Sequence, residues 1–437
     1  MTATGLFETV FDGYAYSYPH KHSYYKLEPL SLRHLWKEEK KDALFLYIHL
    51  PFCEMRCGFC NLFTIANPQE NIVDSYLNTL EVQAKVIKET IRPTSFAQIA
   101  IGGGTPTFLE LPQLEKLFSI MRYLGAEPKD IPISFEMSPK TISPEKLQFL
   151  EDNGVDRVSI GIQSFLDEET KALGRPQKNN EVYEALQLIR KYKFSTLNLD
   201  LIYGTYGQTM ETWLHSLKEA ISFKAEEIFL YPLYVRALTG ITKLNQNTED
   251  HRIDLYLAAK DFLMKNGYEQ ISMRLFRLKT TGSTKAPTNY SCQEDGMIGL
   301  GAGARSYTKY VHYSSEYAVA RGNIKHIINE YIAKTNTDFE AIDYGIELPV
   351  EEQKRRFVIK SILHSSGLDM ERYYELYENT LLNDFPQLDL LLQDDLAIIQ
   401  ESKKMLLTSK GTDYSDAIGP WLYSGFIKER IQSFELK

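Results

Sequence analysis

Cysteine and tryptophan are scarce in this chain, with four and three among 437 residues. So few thiols exclude a disulfide-built scaffold, and free cysteines fit a reducing compartment. Basic charge is not in excess: 49 Lys and Arg stand against 58 Asp and Glu, a net charge of −9. That balance argues against nucleic acid as the main partner, because phosphate binding needs a basic face. No apolar run approaches the roughly 20 residues that span a bilayer. Residues 1–30 lack an apolar core behind a basic start, so they do not read as a signal peptide. Low-complexity tracts are also missing. The expectation is a soluble cytoplasmic protein with no membrane partner, long enough for one large domain and one or two smaller ones.

The few thiols present are concentrated. Three of the four lie in Tyr47-Ile48-His49-Leu50-Pro51-Phe52-Cys53-Glu54-Met55-Arg56-Cys57-Gly58-Phe59-Cys60-Asn61, with spacing Cys-x3-Cys-x2-Cys. An apolar β-type run from Ala43 to Leu50 leads into this loop. Three close thiols cannot pair among themselves without leaving one over, and their natural partner is a soft metal or an iron–sulfur cluster. Closed zinc sites and most ferredoxin-type clusters take four ligands. Cys292 is far downstream, and His49 lies in a strand, poorly placed to serve as the fourth. Spacing alone leaves a cluster, a zinc site and incidental cysteines open.

Short apolar runs alternate with amphipathic stretches from Ala43 to about Leu233. Strands are expected over 44–50, 99–101, 131–135, 158–162, 197–202 and 228–231. Helices are expected over 72–91, 111–124, 144–153, 179–191 and 210–223. Such alternation predicts parallel strands in a barrel or open sheet, with chemistry on the loops at their C-terminal ends. A tyrosine-rich arm precedes this region and is expected to pack on the barrel. Past Arg236 the alternation stops. A helix over 248–265 and a glycine turn at Gly299, Gly301 and Gly303 follow. From Leu348 the pattern is helical, with a hairpin of 396–400 and 405–408, and resembles a winged-helix module. The divisions are 1–42 (arm), 43–235 (barrel), 236–346 (accessory region) and 347–437 (C-terminal module).

The cysteine spacing resembles that of radical S-adenosylmethionine (SAM) enzymes. The approach Tyr-Ile-His-Leu-Pro-Phe-Cys resembles the oxygen-independent coproporphyrinogen III oxidases and their heme-chaperone relatives. The resemblance implies an α/β fold built on a partial (β/α)6 TIM-type barrel. It also implies a [4Fe–4S] cluster on Cys53, Cys57 and Cys60, with SAM on the open iron. One electron would then split SAM to a 5′-deoxyadenosyl radical that acts on an organic substrate.

Later motifs extend the resemblance. Gly102-Gly103-Gly104-Thr105-Pro106-Thr107 follows a strand. Its glycines let backbone come close to a ligand, and Gly103, Gly104 and Thr105 match the family's contact to the methionyl amino group. Glu136, in Phe-Glu-Met-Ser-Pro, suits a cationic ammonium. Gln163 closes Ser-Ile-Gly-Ile-Gln. Arg175 follows it, and a guanidinium suits a carboxylate held bidentately. Asp200 is an acid inside an apolar strand and needs a partner, for which ribose hydroxyls suit. Ile202 matches the adenine contact, while Tyr47 and Phe59 would flank cluster and adenine.

Three departures from the family stand out. Leu62 occupies the position where the oxidases commonly have a fourth cysteine. Thr205-Tyr206 replaces Leu-Pro after the ribose aspartate. Residues 286–295, around Cys292, lack the chaperones' histidine and tryptophan. The resemblance therefore implies a coproporphyrinogen oxidase-like radical SAM oxidoreductase. Its partners would be a small-molecule substrate of tetrapyrrole type and an electron donor such as flavodoxin or ferredoxin. A heme-binding chaperone and a class C radical SAM methyltransferase are the alternatives.

Overall fold

The computed structural model describes all residues except 1–5, 16, 236–237, 242–249, 280–294, 402 and 436–437. It forms two compact units, one of 25–259, 280–347 and 435–437, the other of 1–24, 260–279 and 348–434. The expected loop around Cys292 lies outside the described residues, up to Asp295.

The larger unit holds six parallel strands in sequence order: Leu44–Leu50, Phe96–Gly103, Ile133–Met137, Arg157–Gln163, Thr196–Tyr203 and Glu227–Pro232. Intervening helices run Glu70–Thr90, Leu111–Leu124, Pro144–Asp152, Asn179–Ile189 and Met210–Ser222. Local chemistry sets their ends. Pro144 occupies the first turn of its helix, and Ser143 Oγ accepts from the Lys146 amide at 3.3 Å. Thr209 Oγ1 caps the Met210–Ser222 helix at the Thr212 amide, at 3.2 Å. Gly125, at φ +89°, ends the Leu111–Leu124 helix in the left-handed region.

The strands are two-faced. On one side Leu44, Leu46, Ile48, Ile99, Phe135, Val158, Ile160, Leu197, Leu199 and Leu201 are fully buried. Each such side chain contributes roughly 1.5–3 kcal/mol by leaving water. The alternate positions carry Tyr47, His49, Ser134, Glu136, Arg157, Ser159, Asn198, Asp200 and Glu227; Arg157 donates to Ser134 and Glu227, Asn198 to Ser159 and Asp200, and Tyr47 bonds His49. Register places them in rows: Glu136 opposite Ser159, Ser159 opposite Asn198, and Asn198 opposite Glu227.

The sheet continues past the first barrel strand. Met297–Leu300 runs parallel beside Leu44–Leu50, pairing Gly299 with Tyr47. Beyond it lie Arg305–Tyr307, Val311–Ser314, Ala341–Glu347 and Tyr25–Ser31, all antiparallel. Gly301 and Gly303 adopt φ +97° and +82°, so this stretch is a strand-end turn.

In the smaller unit the helix Val350–Ile362 precedes Met370–Tyr377, and a hairpin of Ala397–Gln400 and Lys404–Leu407 takes Leu368–Asp369 as a third strand. The N-terminal arm is divided: residues 1–24 belong to this unit, while Tyr25–Ser31 joins the sheet of the larger one, on the side where the arm was expected. Phe7 stacks on Tyr414 at 5.9 Å, the Arg274 guanidinium lies 3.7 Å from the Tyr14 ring centre, and Tyr18 donates to Glu352. Large aromatic faces find their apolar surface here, a tertiary choice that composition does not encode. Among the described residues, no helix is long and apolar enough to cross a membrane.

Candidate functional site

The thiol loop leaves the first barrel strand at Pro51. It is tied down by Ile65 N–H to Pro51 O (2.7 Å), Asn67 N–H to Cys53 O (2.9 Å) and a turn from Cys60 N–H to Cys57 O (3.2 Å). Cys53, Cys57 and Cys60 are all free and half-buried. Burial pushes the Cys53 thiol up to about 12, partly offset by a hydrogen bond to Thr105, with the other two thiols adding to the rise. Burial also raises Cys57, opposed chiefly by the Arg175 charge. The three thiols are thus neighbours that feel one another. They do not converge on one point: among the described residues, no three His, Cys, Asp or Glu side chains could hold a single metal ion.

His49 is not positioned as a fourth ligand. One ring nitrogen bonds the Tyr47 hydroxyl (3.1 Å) and the other the Phe63 carbonyl (3.0 Å).

The glycine run presses against this loop. A Cβ on Gly104 would lie 2.4 Å from Phe52 O, and one on Gly103, at φ +111°, would lie 2.5 Å from the His49 ring. The amides of Gly104 and Thr105 donate to Leu50 O and Phe52 O (2.8 and 2.7 Å), and that of Gly103 to Glu136 Oε2 (3.0 Å). All three amides therefore have protein acceptors, and an amino group, itself a donor, would call on the carbonyls of this loop instead. The glycines are required by the packing of the thiol loop itself.

Sequence reasoning missed a second close approach. Gly58, between Cys57 and Phe59, packs backbone to backbone on Gly174, so that a Cβ on either would fall 2.8 Å from the other segment. Gly58 N–H donates to Gly174 O at 3.2 Å, and Ile241 N–H to Gly58 O at 2.9 Å. This contact carries Arg175 to the thiols, where Nη1 donates to Cys57 Sγ at 3.5 Å. The pairing of two glycines far apart in sequence has no local signal.

Gln163 sits at a bulge, where the register shifts between Gly161 and Gln163. Its φ of +66° is unusual for a residue with a side chain and marks local backbone strain of a kind that collects at functional sites. Its Nε2 turns back over Gly161, beside Arg175.

Two acids lie on this face of the strands. Glu136 is exposed, yet surrounding protein pushes its carboxyl up to about 7, helped by the Asp200 charge and opposed by the Gly103 amide and Arg157. Asp200 is raised to about 6, again mainly by burial, against hydrogen bonds from Asn198 and Ser159 and the charges of Arg157 and Arg175. Asn198 Nδ2 bridges Ser159 Oγ and Asp200 Oδ1, both at 2.8 Å, while its Oδ1 is buried without a partner. Ile202 lies two residues on from Asp200 and is buried. Glu54, also missed in the sequence, accepts from Ser138 Oγ at 2.5 Å and leaves its other oxygen buried without a partner.

Three neighbouring soft thiols fit a polynuclear iron–sulfur group. Two acids with an orphaned amide oxygen beside them fit a polar, partly cationic organic ligand. Cys53, Cys57 and Cys60 would hold the cluster, while Glu136 and Asp200 would face SAM.

Residues 47–220 match the Radical SAM superfamily. The chain is 29% identical to the heme chaperone HemW of Bacillus subtilis over 391 residues, covering 88% of this chain and 99% of that one. It is 31% identical to the oxygen-independent coproporphyrinogen III oxidase of Helicobacter pylori over 356 residues, 76% and 75% of the two chains. In fold it matches coproporphyrinogen III oxidase (HemN) from Escherichia coli with a TM-score of 0.79, over 98% of this chain and 100% of that one, at 22% identity. Radical SAM proteins carry a [4Fe–4S] cluster and SAM, the groups that this donor set and this interior fit. The chain belongs to the radical SAM superfamily, in the family that contains HemW and the oxygen-independent coproporphyrinogen III oxidases.

Proposed function

We propose that the chain is a radical SAM oxidoreductase resembling the coproporphyrinogen oxidases, acting on a tetrapyrrole of porphyrinogen type and reduced by a flavodoxin or ferredoxin. When bound, the cluster and SAM supply a 5′-deoxyadenosyl radical by one-electron cleavage. The observation that carries this reading is the pair Glu136 and Asp200, two acids on one face of the strands, Glu136 held by the Gly103 amide and Asp200 by Asn198. A carrier that never bound SAM would have little use for them.

The protein's own contribution is binding and exclusion of water. Glu136, once ionised, offers the interior a negative charge for the SAM ammonium, and its Gly103 hydrogen bond fixes where that charge sits. Asp200, oriented by Asn198 and Ser159, accepts from ribose hydroxyls. Tyr47, Phe59 and Ile202 close apolar surface around the reacting region, which protects a radical from water. Arg175, whose guanidinium reaches the thiol loop at Cys57, would meet the methionine carboxylate.

HemW supports a second reading, a heme-binding carrier, since that relative aligns over 99% of its length. Anaerobic reconstitution with iron, sulfide, dithionite and SAM separates the two. Release of 5′-deoxyadenosine over many turnovers is expected. Tight heme uptake with no SAM cleavage would replace the enzyme reading with the carrier.

A further inference from the structure

The larger unit leaves big apolar side chains in water mainly at one end. Leu62 lies in the thiol loop, Tyr206 and Met210 follow the strand Thr196–Tyr203, and Val235 and Leu238 follow Glu227–Pro232; all five are exposed. Elsewhere on that unit, among the described residues, only Tyr123 and Tyr310 are large, apolar and exposed. Apolar residues scattered singly over a surface need no explanation. A group of them at the C-terminal ends of barrel strands marks a binding surface.

The loops that carry them are joined. Leu233 N–H donates to Tyr203 O at 2.8 Å, and Arg252 Nη1 donates to Leu233 O at 3.2 Å. The Arg252 stem packs on the Tyr206 loop, where a Cβ on Gly204 would lie 2.4 Å from its Cγ. Further along, Ile241 N–H donates to Gly58 O of the thiol loop at 2.9 Å. The exit from Glu227–Pro232 is therefore fastened at one point to the Tyr206 loop and at another to the thiol loop. Leu238 holds φ +63°, a left-handed conformation that leucine seldom adopts. Strain that keeps an apolar side chain in water brings no packing gain, and strain of this kind collects where ligands bind.

We propose that Tyr206, Val235 and Leu238 seat the apolar face of the tetrapyrrole substrate over the strand ends. This rests on the reading given under the proposed function and adds to it the surface that meets the substrate. SAM on Glu136 and Asp200 would occupy the inner face, so a substrate reaches the radical from the strand ends. A porphyrinogen is broad and apolar across its face, with carboxylates on its edge. Its face gains by covering exposed hydrocarbon, while the edge carboxylates, repelled by Glu136 and Asp200, stay in water. Tyr206 stands where the family commonly has proline, so the seat is a property of this chain.

The test is anaerobic equilibrium dialysis of the reconstituted full chain, with SAM present, against coproporphyrin III, a stable aromatic counterpart of the porphyrinogens. Tyr206→Ser should weaken porphyrin binding about tenfold, as loss of one buried aromatic contact does. Leu238→Asn should weaken it by a smaller factor, and asparagine tolerates the left-handed backbone there. Tyr123→Ser, at the far end of the helix Leu111–Leu124, should leave it unchanged. SAM affinity, measured in parallel, should hold in all three. Wild-type porphyrin binding that neither Tyr206→Ser nor Leu238→Asn weakens would overturn this seat and leave the proposed function standing. Equal loss of SAM and porphyrin would overturn it in favour of a role in shaping the SAM site. A wild-type dimer that Tyr206→Ser splits, with porphyrin affinity kept, would overturn it in favour of a contact between copies of the chain. A wild-type protein that cleaves SAM but retains no porphyrin would overturn the tetrapyrrole reading, and this inference with it.

Discussion

The two faces of the same six barrel strands follow opposite rules. Outward positions such as Leu197, Leu199 and Leu201 are fully buried hydrocarbon, while the alternate positions Asn198 and Asp200 face the interior with polar groups held by one another. A strand's period of two lets adjacent residues obey different demands, one for packing and the next for a ligand. The lesson is that the interior is not a second core: it carries Glu136 and Asp200, whose carboxyls are raised to about 7 and about 6, where the opposite face carries only hydrocarbon.

The sharpest way to break this comparison lies at the end of the first strand. Cys57→Ala should abolish both the brown chromophore and 5′-deoxyadenosine release after anaerobic reconstitution. Cleavage that survives would detach the thiol loop from the interior chemistry. A colourless wild-type protein with one zinc and no iron by metal analysis would do the same.

An outward substitution tests the packing face. Leu199→Ala should cost about 2–5 kcal/mol of unfolding free energy in urea, as large-to-small core changes do. SAM affinity of the folded fraction should stay close to wild type.

An inward substitution should invert that pattern. Glu136→Gln should weaken SAM binding about tenfold by calorimetry while leaving the melting temperature at pH 8 close to wild type, because the side chain is exposed. The wild-type carboxyl is raised to about 7, so its anionic form accumulates above that pH, and affinity for a cationic ligand should climb between about pH 6 and pH 8. In Glu136→Gln that climb should flatten. The same shift has a stability sign. A folded carboxyl raised above its unfolded value binds more protons than the unfolded chain, so stability of the ligand-free protein should fall as pH rises from the ordinary carboxylate range through about 7. A wild-type affinity that does not vary with pH would remove Glu136 from the ligand-facing role.

The smallest effect is expected at Asp200. Asp200→Asn keeps the hydrogen-bonding shape toward Asn198 and Ser159 and should weaken SAM binding only severalfold, with the pH climb retained. A larger loss than that of Glu136→Gln would reverse the assignment of which acid meets the cation.

Much of this was legible in the chain. The helix Leu111–Leu124 falls where its apolar periodicity placed it, and others end within a few residues of expectation, because caps and prolines act locally. The thiol loop was legible because ligand spacing is written along one segment. The place of the arm's first 24 residues with the C-terminal unit and the strand Met297–Leu300 beside Leu44–Leu50 were not, since pairing between distant segments leaves no periodic mark. Arg175 illustrates the limit well. Its residue type suggested a carboxylate, and only the positions of Gln177, Gly161, Ser138 and Cys57 around it show how the guanidinium is held at the thiol loop.

Sequence alone determined the chemistry on offer: which strands alternate, where three soft ligands cluster, and which acids interrupt apolar runs. Those properties belong to short segments, whose spacing and side-chain types survive without a fold. Tertiary structure alone decided what each group faces. Burial, the Gly58–Gly174 approach and the placing of a guanidinium arise when distant segments exclude water together, and no single segment carries that information.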